Sequence, residues 1–226
     1  MRGTQAFWFT HYISYPSGAL LAWLFARVGL TPTVVTLAGA ALAWGTAAWV
    51  GFAVDHRGLG AVLLYAGLML AYSLDCADGV LARATGQCSP FGAILDKVMD
   101  AGTMIFVPGL LGAAALTQPP VYLPARGYPI VMLVIIASRV LLAITIWLKD
   151  FTFKAADHLA EDRRERTIGW YVRRMIGQTT DTPVFYLLLG FTWWLGGMWE
   201  MLAIYGLWNG VIWLMYLAVS HRESRR

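Results

Sequence analysis

Residues 75–100 read DCADGVLARATGQCSPFGAILDKVMD, four aspartates set between and within two apolar runs. The runs, roughly Leu59 to Ala84 and Pro90 to Leu116, are each long enough to cross a bilayer as a helix, which takes about 20 residues. Asp75, Asp78, Gly79, Ala82 and Arg83 follow one another at helical spacing and share a face of the first helix. Gly92, Asp96 and Asp100 recur every four residues and share a face of the second. Thr85 to Ser89 is a short connection, so the helices are expected to be antiparallel neighbours whose polar faces meet.

Ionisable side chains inside membrane helices are expensive and mark function. Four carboxylates converging on one volume cannot all stay ionised without compensation, and the C-terminal end of the first helix disfavours anions. Arg83 offsets one charge; Lys97 is given no role. Divalent cations are the economical remedy, and four carboxylates can hold two. Oxygen-only ligands select hard ions, Mg²⁺ or Mn²⁺. Paired ions about 4 Å apart serve displacement at phosphorus. Gly79, Ala82 and Gly92 leave room for a phosphate or nucleotide, and Arg83 can grip phosphate as a fork.

The rest of the chain agrees with a membrane setting. Of 226 residues, 58% are hydrophobic and 13% charged, with a mean hydropathy of +0.59, against about a quarter charged in soluble domains. Eleven Trp and ten Tyr suit a membrane interface. The net charge of +4 is assigned to topology and anionic lipid head groups rather than to nucleic acid, because the basic residues lie in loops. Cys76 and Cys88 are read as free thiols, and His11, His56, His158 and His221 as surface residues without ligand spacing.

The expected fold is all-α: one domain over residues 1–226, a polytopic bundle of six transmembrane helices (31–219) preceded by an N-terminal segment (1–30) with an interfacial amphipathic helix. The spans are Pro32 to Val54, Leu59 to Ala84, Pro90 to Leu116, Tyr128 to Leu148, Pro183 to Trp199 and Met201 to Val219. Thr31-Pro32, Ser89-Pro90 and Thr182-Pro183 each read as an N-cap hydroxyl followed by proline at the first helical position. Ser17 to Gly29 forms the interfacial helix, with Leu20, Leu21, Leu24, Phe25 and Val28 on one face. Residues 149–182 form a cytoplasmic loop. The N-terminus does not read as a cleaved signal, since His11 and Pro16 break its apolar stretch. Thirteen Lys and Arg then fall inside, against Arg57 and Arg126 outside. Both termini and the acidic cluster are therefore expected on the cytoplasmic side of the cell (inner) membrane.

At the acidic stretch the chain resembles the CDP-alcohol phosphotransferase family, whose signature is D-x2-D-G-x2-A-R-x8-G-x3-D-x3-D. Asp75, Asp78, Gly79, Ala82, Arg83, Gly92, Asp96 and Asp100 match every fixed position. The resemblance implies a membrane enzyme of phospholipid biosynthesis, a transferase that passes a substituted phosphate from a CDP-linked donor, CDP-diacylglycerol by base rate, to an alcohol acceptor with release of CMP. It implies Asp75, Asp78, Asp96 and Asp100 as ligands of two Mg²⁺ or Mn²⁺ ions, and Asp100 as general base. It places CDP against Asp75, Asp78, Gly79, Ala82, Arg83 and Gly92. Residues 32–36, Pro-Thr-Val-Val-Thr, are similar to the family's Pro-Asn-x-x-Thr/Ser element, which brings Thr36 to the nucleotide; Thr33 replaces the Asn. Relatives are commonly homodimers.

The acceptor is left open. The run Asp96-Lys97-Val98-Met99-Asp100-Ala101 departs from both the glycerol-phosphate pattern, Asp-Pro-x-x-Asp-Lys, and the inositol-phosphate pattern, Asp-Ser-x-x-Asp-Arg. Arg139 and Lys149 are named for an acceptor phosphate, with a structural ion pair as the alternative for Arg139. A soluble CDP-alcohol donor with a lipid acceptor is the alternative within the family. A divalent-metal transporter and a metal-stapled scaffold are the alternatives outside it; transport gives no reason for Gly79, Ala82 and Arg83 at fixed offsets, and a scaffold would tolerate Asp100→Asn.

Overall fold

A computed structural model of the chain describes residues 10–116, 127–153 and 181–223. The described residues form helices and turns, with no strand. A π-helical turn, Thr10–Ser14, runs into α1 (Tyr15–Arg27). The remaining helices are α2 (Pro32–Ala53), α3 (Arg57–Thr85), α4 (Pro90–Ala115), α5 (Tyr128–Phe153), α6 (Thr182–Leu195) and α7 (Met198–Glu223). Five of them, α2 to α5 and α7, are long and apolar enough to cross a membrane. The expected all-α polytopic bundle with a preceding helix is the architecture observed.

The fifth expected span is the main revision. α6 has 14 residues, a rise of about 21 Å against an apolar core about 30 Å thick. Gly196 ends it with φ 78°, and Gly197 N–H donates to the Thr192 carbonyl at 3.2 Å, the closure of a Schellman turn. Trp199 therefore belongs to α7, which starts at Met198 rather than Met201. At the other end of α6, Asp181 and not Thr182 takes the N-cap position. α5 continues to Phe153, so residues 149–153 are helix rather than loop. The expectation of a solvated loop beyond them, with His158, falls on residues 154–180, outside the described residues.

Each boundary of the acidic stretch has a local cause. Gly86 at φ 70° stops α3, and Gln87 N–H donates to the Ala82 carbonyl at 2.9 Å. Ser89 Oγ accepts from Gly92 N–H at 3.0 Å and starts α4 ahead of Pro90. His56 Nδ1 caps α3 by accepting from Leu59 N–H at 3.1 Å, a use for one of the four histidines.

Packing departs from the sequence reading in one respect that matters. α3 and α4 do not pack along their lengths; each packs on α2, and α3 also carries α1 and α6 on other faces. The short turn fixes their ends together, while Trp44, whose indole N–H donates to Thr103 Oγ1 at 3.2 Å, holds α4 against α2. A cleft is left between the two acid-bearing helices. α5 packs on α7, and Phe185 of α6 stacks on Tyr205 of α7 with centroids 4.7 Å apart. The large core, with Leu64, Leu68, Val107, Leu111, Ile135, Leu189 and Leu202, fills the half away from the α3–α4 turn. A smaller cluster of Ala22, Val35, Ala77 and Leu81 seals the half near it.

α1 packs on α3 through a narrow strip of small residues and leaves much of its apolar face outward. Gly18 and Ala22 are buried against α3, with Leu21 and Phe25 partly so. Leu20, Leu24 and Val28 point outward beside Trp23, over which Arg27 lays its guanidinium at 3.7 Å. Small residues sit inward because α1 lies close against the α3 backbone at Cys76 and Ala77.

Candidate active site in the cleft between α3 and α4

Asp78 lies seven residues before the end of α3 and Asp96 six after the start of α4, so both stand about 10 Å from their common turn. That level placement lets side chains meet although the backbones diverge. Carboxylate oxygens of Asp75, Asp78 and Asp96 all lie within 4.8 Å of one another. Two oxygens on opposite sides of one Mg²⁺ are about 4.2 Å apart, twice a bond of about 2.1 Å. Three oxygens cannot all be opposite one another, and adjacent ones are about 3.0 Å apart, so the carboxylates would close inward on a bound ion; the donors are all hard oxygens. The cluster fits a divalent cation.

Asp100 stands one turn deeper and outside this triangle. Lys97 joins it to the rest: Lys97 Nζ is 2.8 Å from Asp96 Oδ2 and 2.9 Å from Asp100 Oδ2. The counter-charge assigned from sequence to Arg83 is therefore supplied by Lys97. Arg83 forms no ion pair with the acids; it is exposed, and its guanidinium lies over Gly79, where a Cβ would come within 3.3 Å of Nη1. The reason is position: Arg83 is in the last turn of α3, above the level of Asp78, while Lys97 is at the level of the acids on α4.

The other expected residues fall around the same cleft. Thr36 of α2 is buried and donates its hydroxyl to Asp78, with the Pro32 carbonyl as its competing acceptor at 3.1 Å. Thr36 is thus the floor that links α2 to α3. A Cβ on Gly92 would meet Ser89 Oγ alone, at 3.2 Å, so the α4 wall of the cleft is open. Ala82 is half-buried beside it. Arg139 is not among the acids. It is 6% exposed on α5, donates to Tyr205 Oη at 3.2 Å, and lies 4.1 Å over the Phe185 ring. Its Nε has no partner, and no carboxylate among the described residues pairs with it. The ion-pair alternative is not what the described residues show. Lys149 lies in the helical end of α5.

A polar cluster that the sequence reading missed backs onto Asp75. Thr10 Oγ1 donates to Asp181 Oδ1 at 2.9 Å and lies 3.2 Å from Tyr72 Oη. Ser17 and Ser73 hydroxyls are 2.9 Å apart. Tyr72 is one turn before Asp75 on the same face of α3, the one signal that pointed here; Thr10 and Asp181 are 171 residues apart and gave none.

Asp181 is 5% exposed at the start of α6. Burial pushes its carboxyl above the usual value of 3.8, and hydrogen bonds from Thr10 pull it partly back. An acid raised in the folded state is a liability once ionised: its contribution is favourable at low pH and is lost as pH climbs from 3.8 towards the folded value. Asp181→Asn keeps an acceptor for Thr10 without the charge. Its melting temperature is expected to rise relative to wild type as pH goes from about 4 to about 7, measured by thermal unfolding in detergent across that range. A difference that stays flat with pH would remove Asp181 as a buried anion.

The family model for CDP-alcohol phosphatidyltransferase matches residues 29–220. The chain is similar to the archaetidylinositol phosphate synthase of Pyrococcus horikoshii, 36% identical over 75 residues, which is 33% of this chain. That match spans 37% of the length of the Pyrococcus protein. With a matched region that takes in all of α2 to α6 and most of α7, this multi-pass membrane chain belongs to the CDP-alcohol phosphatidyltransferase family.

Proposed function

We propose that the protein transfers a substituted phosphate from a CDP-linked donor, CDP-diacylglycerol, to the hydroxyl of an alcohol acceptor and releases CMP, in phospholipid synthesis at the cytoplasmic face of the cell membrane. One observation carries this reading: three carboxylates from two helices, within 4.8 Å of one another, line an open cleft bounded by Gly79 and Gly92.

Asp75, Asp78, Asp96 and Asp100 would hold two Mg²⁺ or Mn²⁺ ions. Bound there, the ions would neutralise charge on the donor's pyrophosphate and on the leaving phosphate. The side chains do the rest. Gly79 and Gly92 admit the pyrophosphate close to backbone, and Ala82 keeps the wall low. Arg83 swings from its place over Gly79 to the CDP phosphates. Thr36 holds Asp78 in orientation through its hydroxyl. Asp100 takes the acceptor's proton as its oxygen attacks the phosphorus distal to cytidine, and the bond from that phosphorus to the CMP oxygen breaks. The charge asymmetry, thirteen basic residues against two, supports the cytoplasmic placement.

Arg139 favours an acceptor that carries an anion. A guanidinium 6% exposed, with no carboxylate partner among the described residues and with Nε unused, is costly unless a ligand completes it. The Pyrococcus relative is named for an inositol phosphate lipid, and a phosphorylated polyol has the matching charge.

The test is CMP release by purified protein with Mg²⁺ or Mn²⁺, CDP-diacylglycerol and a panel of alcohols with and without phosphate. Release with a phosphorylated polyol is the expected result. Release only from soluble CDP-alcohols with a lipid acceptor would reverse donor and acceptor. No release with any pair would end the reading. Arg139→Gln is expected to raise KM for the phosphorylated acceptor about tenfold or more, the order of losing one charged hydrogen bond, with KM for the donor unchanged. Equal effects on both substrates would return Arg139 to a structural role.

A further inference from the structure

Lys97 is the residue that the proposed mechanism leaves unused, and it is the one in contact with half of the acids. Its ammonium sits 2.8 Å from Asp96 Oδ2 and 2.9 Å from Asp100 Oδ2. A third contact comes from another helix: the Trp147 ring of α5 lies 5.1 Å below the ammonium, within cation–π range of about 6 Å. This is a seat with three sides, two anionic and one aromatic. The Lys97 side chain is nonetheless 46% exposed, so leaving the seat costs little burial.

Consider charge. Four carboxylates bring four negative charges. One divalent ion in the Asp75–Asp78–Asp96 triangle and the Lys97 ammonium together supply three positive charges. A second divalent ion near Asp100 needs the Asp96 and Asp100 oxygens that Lys97 now uses. The two cations compete for the same lone pairs at under 3 Å, and they also repel each other.

We propose that Lys97 is a tethered cation occupying the place of the second metal ion, so that the site fills in two unequal steps. The first ion binds in the triangle and shares Asp96 with Lys97, which keeps its hold on Asp100. The second enters only when Lys97 is drawn out of its seat, and the agent that draws it out is the donor's diphosphate, a polyanion arriving at the mouth of the cleft. Lys97 would thus be a positioning residue that keeps Asp96 and Asp100 from the second ion until the donor is bound. This rests on the acidic cluster being a metal site, as proposed above.

Mn²⁺ binding tests it without turnover. Purified protein in lipid nanodiscs is titrated with Mn²⁺, counting bound ions by electron paramagnetic resonance, with and without CDP. Wild type is expected to bind one ion tightly and a second only with CDP present. Lys97→Met should bind two ions without CDP, the second about tenfold tighter or more than in wild type. Lys97→Arg, which keeps the charge, should titrate as wild type. Trp147→Leu removes the ring and spares the acids, so it covers the case of a misfolded Met variant; it should tighten the second ion in the same direction. Two ions in wild type without nucleotide, or identical titrations for wild type, Lys97→Met and Trp147→Leu, would overturn the proposal while leaving the metal site intact. No Mn²⁺ on any variant would overturn the metal reading and this inference together.

Discussion

Asp96→Asn is expected to lower CMP release by about 10³-fold, the order lost when one electrostatic support of a transition state is removed, while the fold survives. Asp96 is the one acid of α4 in the triangle with Asp75 and Asp78, and it also holds Lys97. Without its charge the triangle loses its only link across the cleft. Stability should not fall with it. The Asp96 side chain is 34% exposed, and deleting one of several close like charges relieves repulsion. The measurement is turnover beside a melting curve: activity lost, melting temperature held or raised. Activity within tenfold of wild type would show that the α4 acid is not part of the chemistry.

Gly18→Val should damage the site from behind. A Cβ at Gly18 would stand 2.8 Å from Cys76 Cβ and 3.2 Å from Ala77 N and Cys76 C. Much of that obstacle is backbone, so α1 must move away from α3 rather than one side chain turning aside. The strand of helix pressed on is the one between Asp75 and Asp78. Overpacking of this kind costs about 1–3 kcal/mol, a fall in melting temperature of roughly 5 °C for a chain of this size. Turnover should fall more than stability does, by about tenfold or more, because a shift of about 1 Å at catalytic groups is expensive. Gly45→Ala is the control. Nothing lies within 4 Å of its Cβ position, and Ala in place of Gly inside a helix is favourable by about 0.5–1 kcal/mol. Equal behaviour of the two variants would show that α1 is a loose appendage and not a support of the site.

The acids were legible because their environment made them costly. Eight fixed positions in two helices, 26 residues in all, need only helical geometry to predict two polar faces at one end of a bundle. Gly86, Ser89 and Pro90 wrote the turn between them in backbone and capping preferences that act locally. Gly196 is equally local, and its left-handed φ ends α6 short of the expected span Pro183 to Trp199.

Local preference alone determined the class of this chain, the helix starts at Pro32 and Pro90, and the helix faces that carry the acids, since each depends on neighbours within a turn or two. The tertiary structure alone decided how those parts meet. Helical spacing could pair α3 with α4, yet α2 separates them and opens the cleft, because Trp44 and the small residues of α2 hold both helices. The same spacing could not choose between Arg83 and Lys97 as the counter-ion; that depends on which long side chain stands level with the acids. Nor could it join Thr10 to Asp181, or bury Arg139 with no carboxylate partner among the described residues. Side chains far apart in the chain, brought together by packing, carry no period in the sequence.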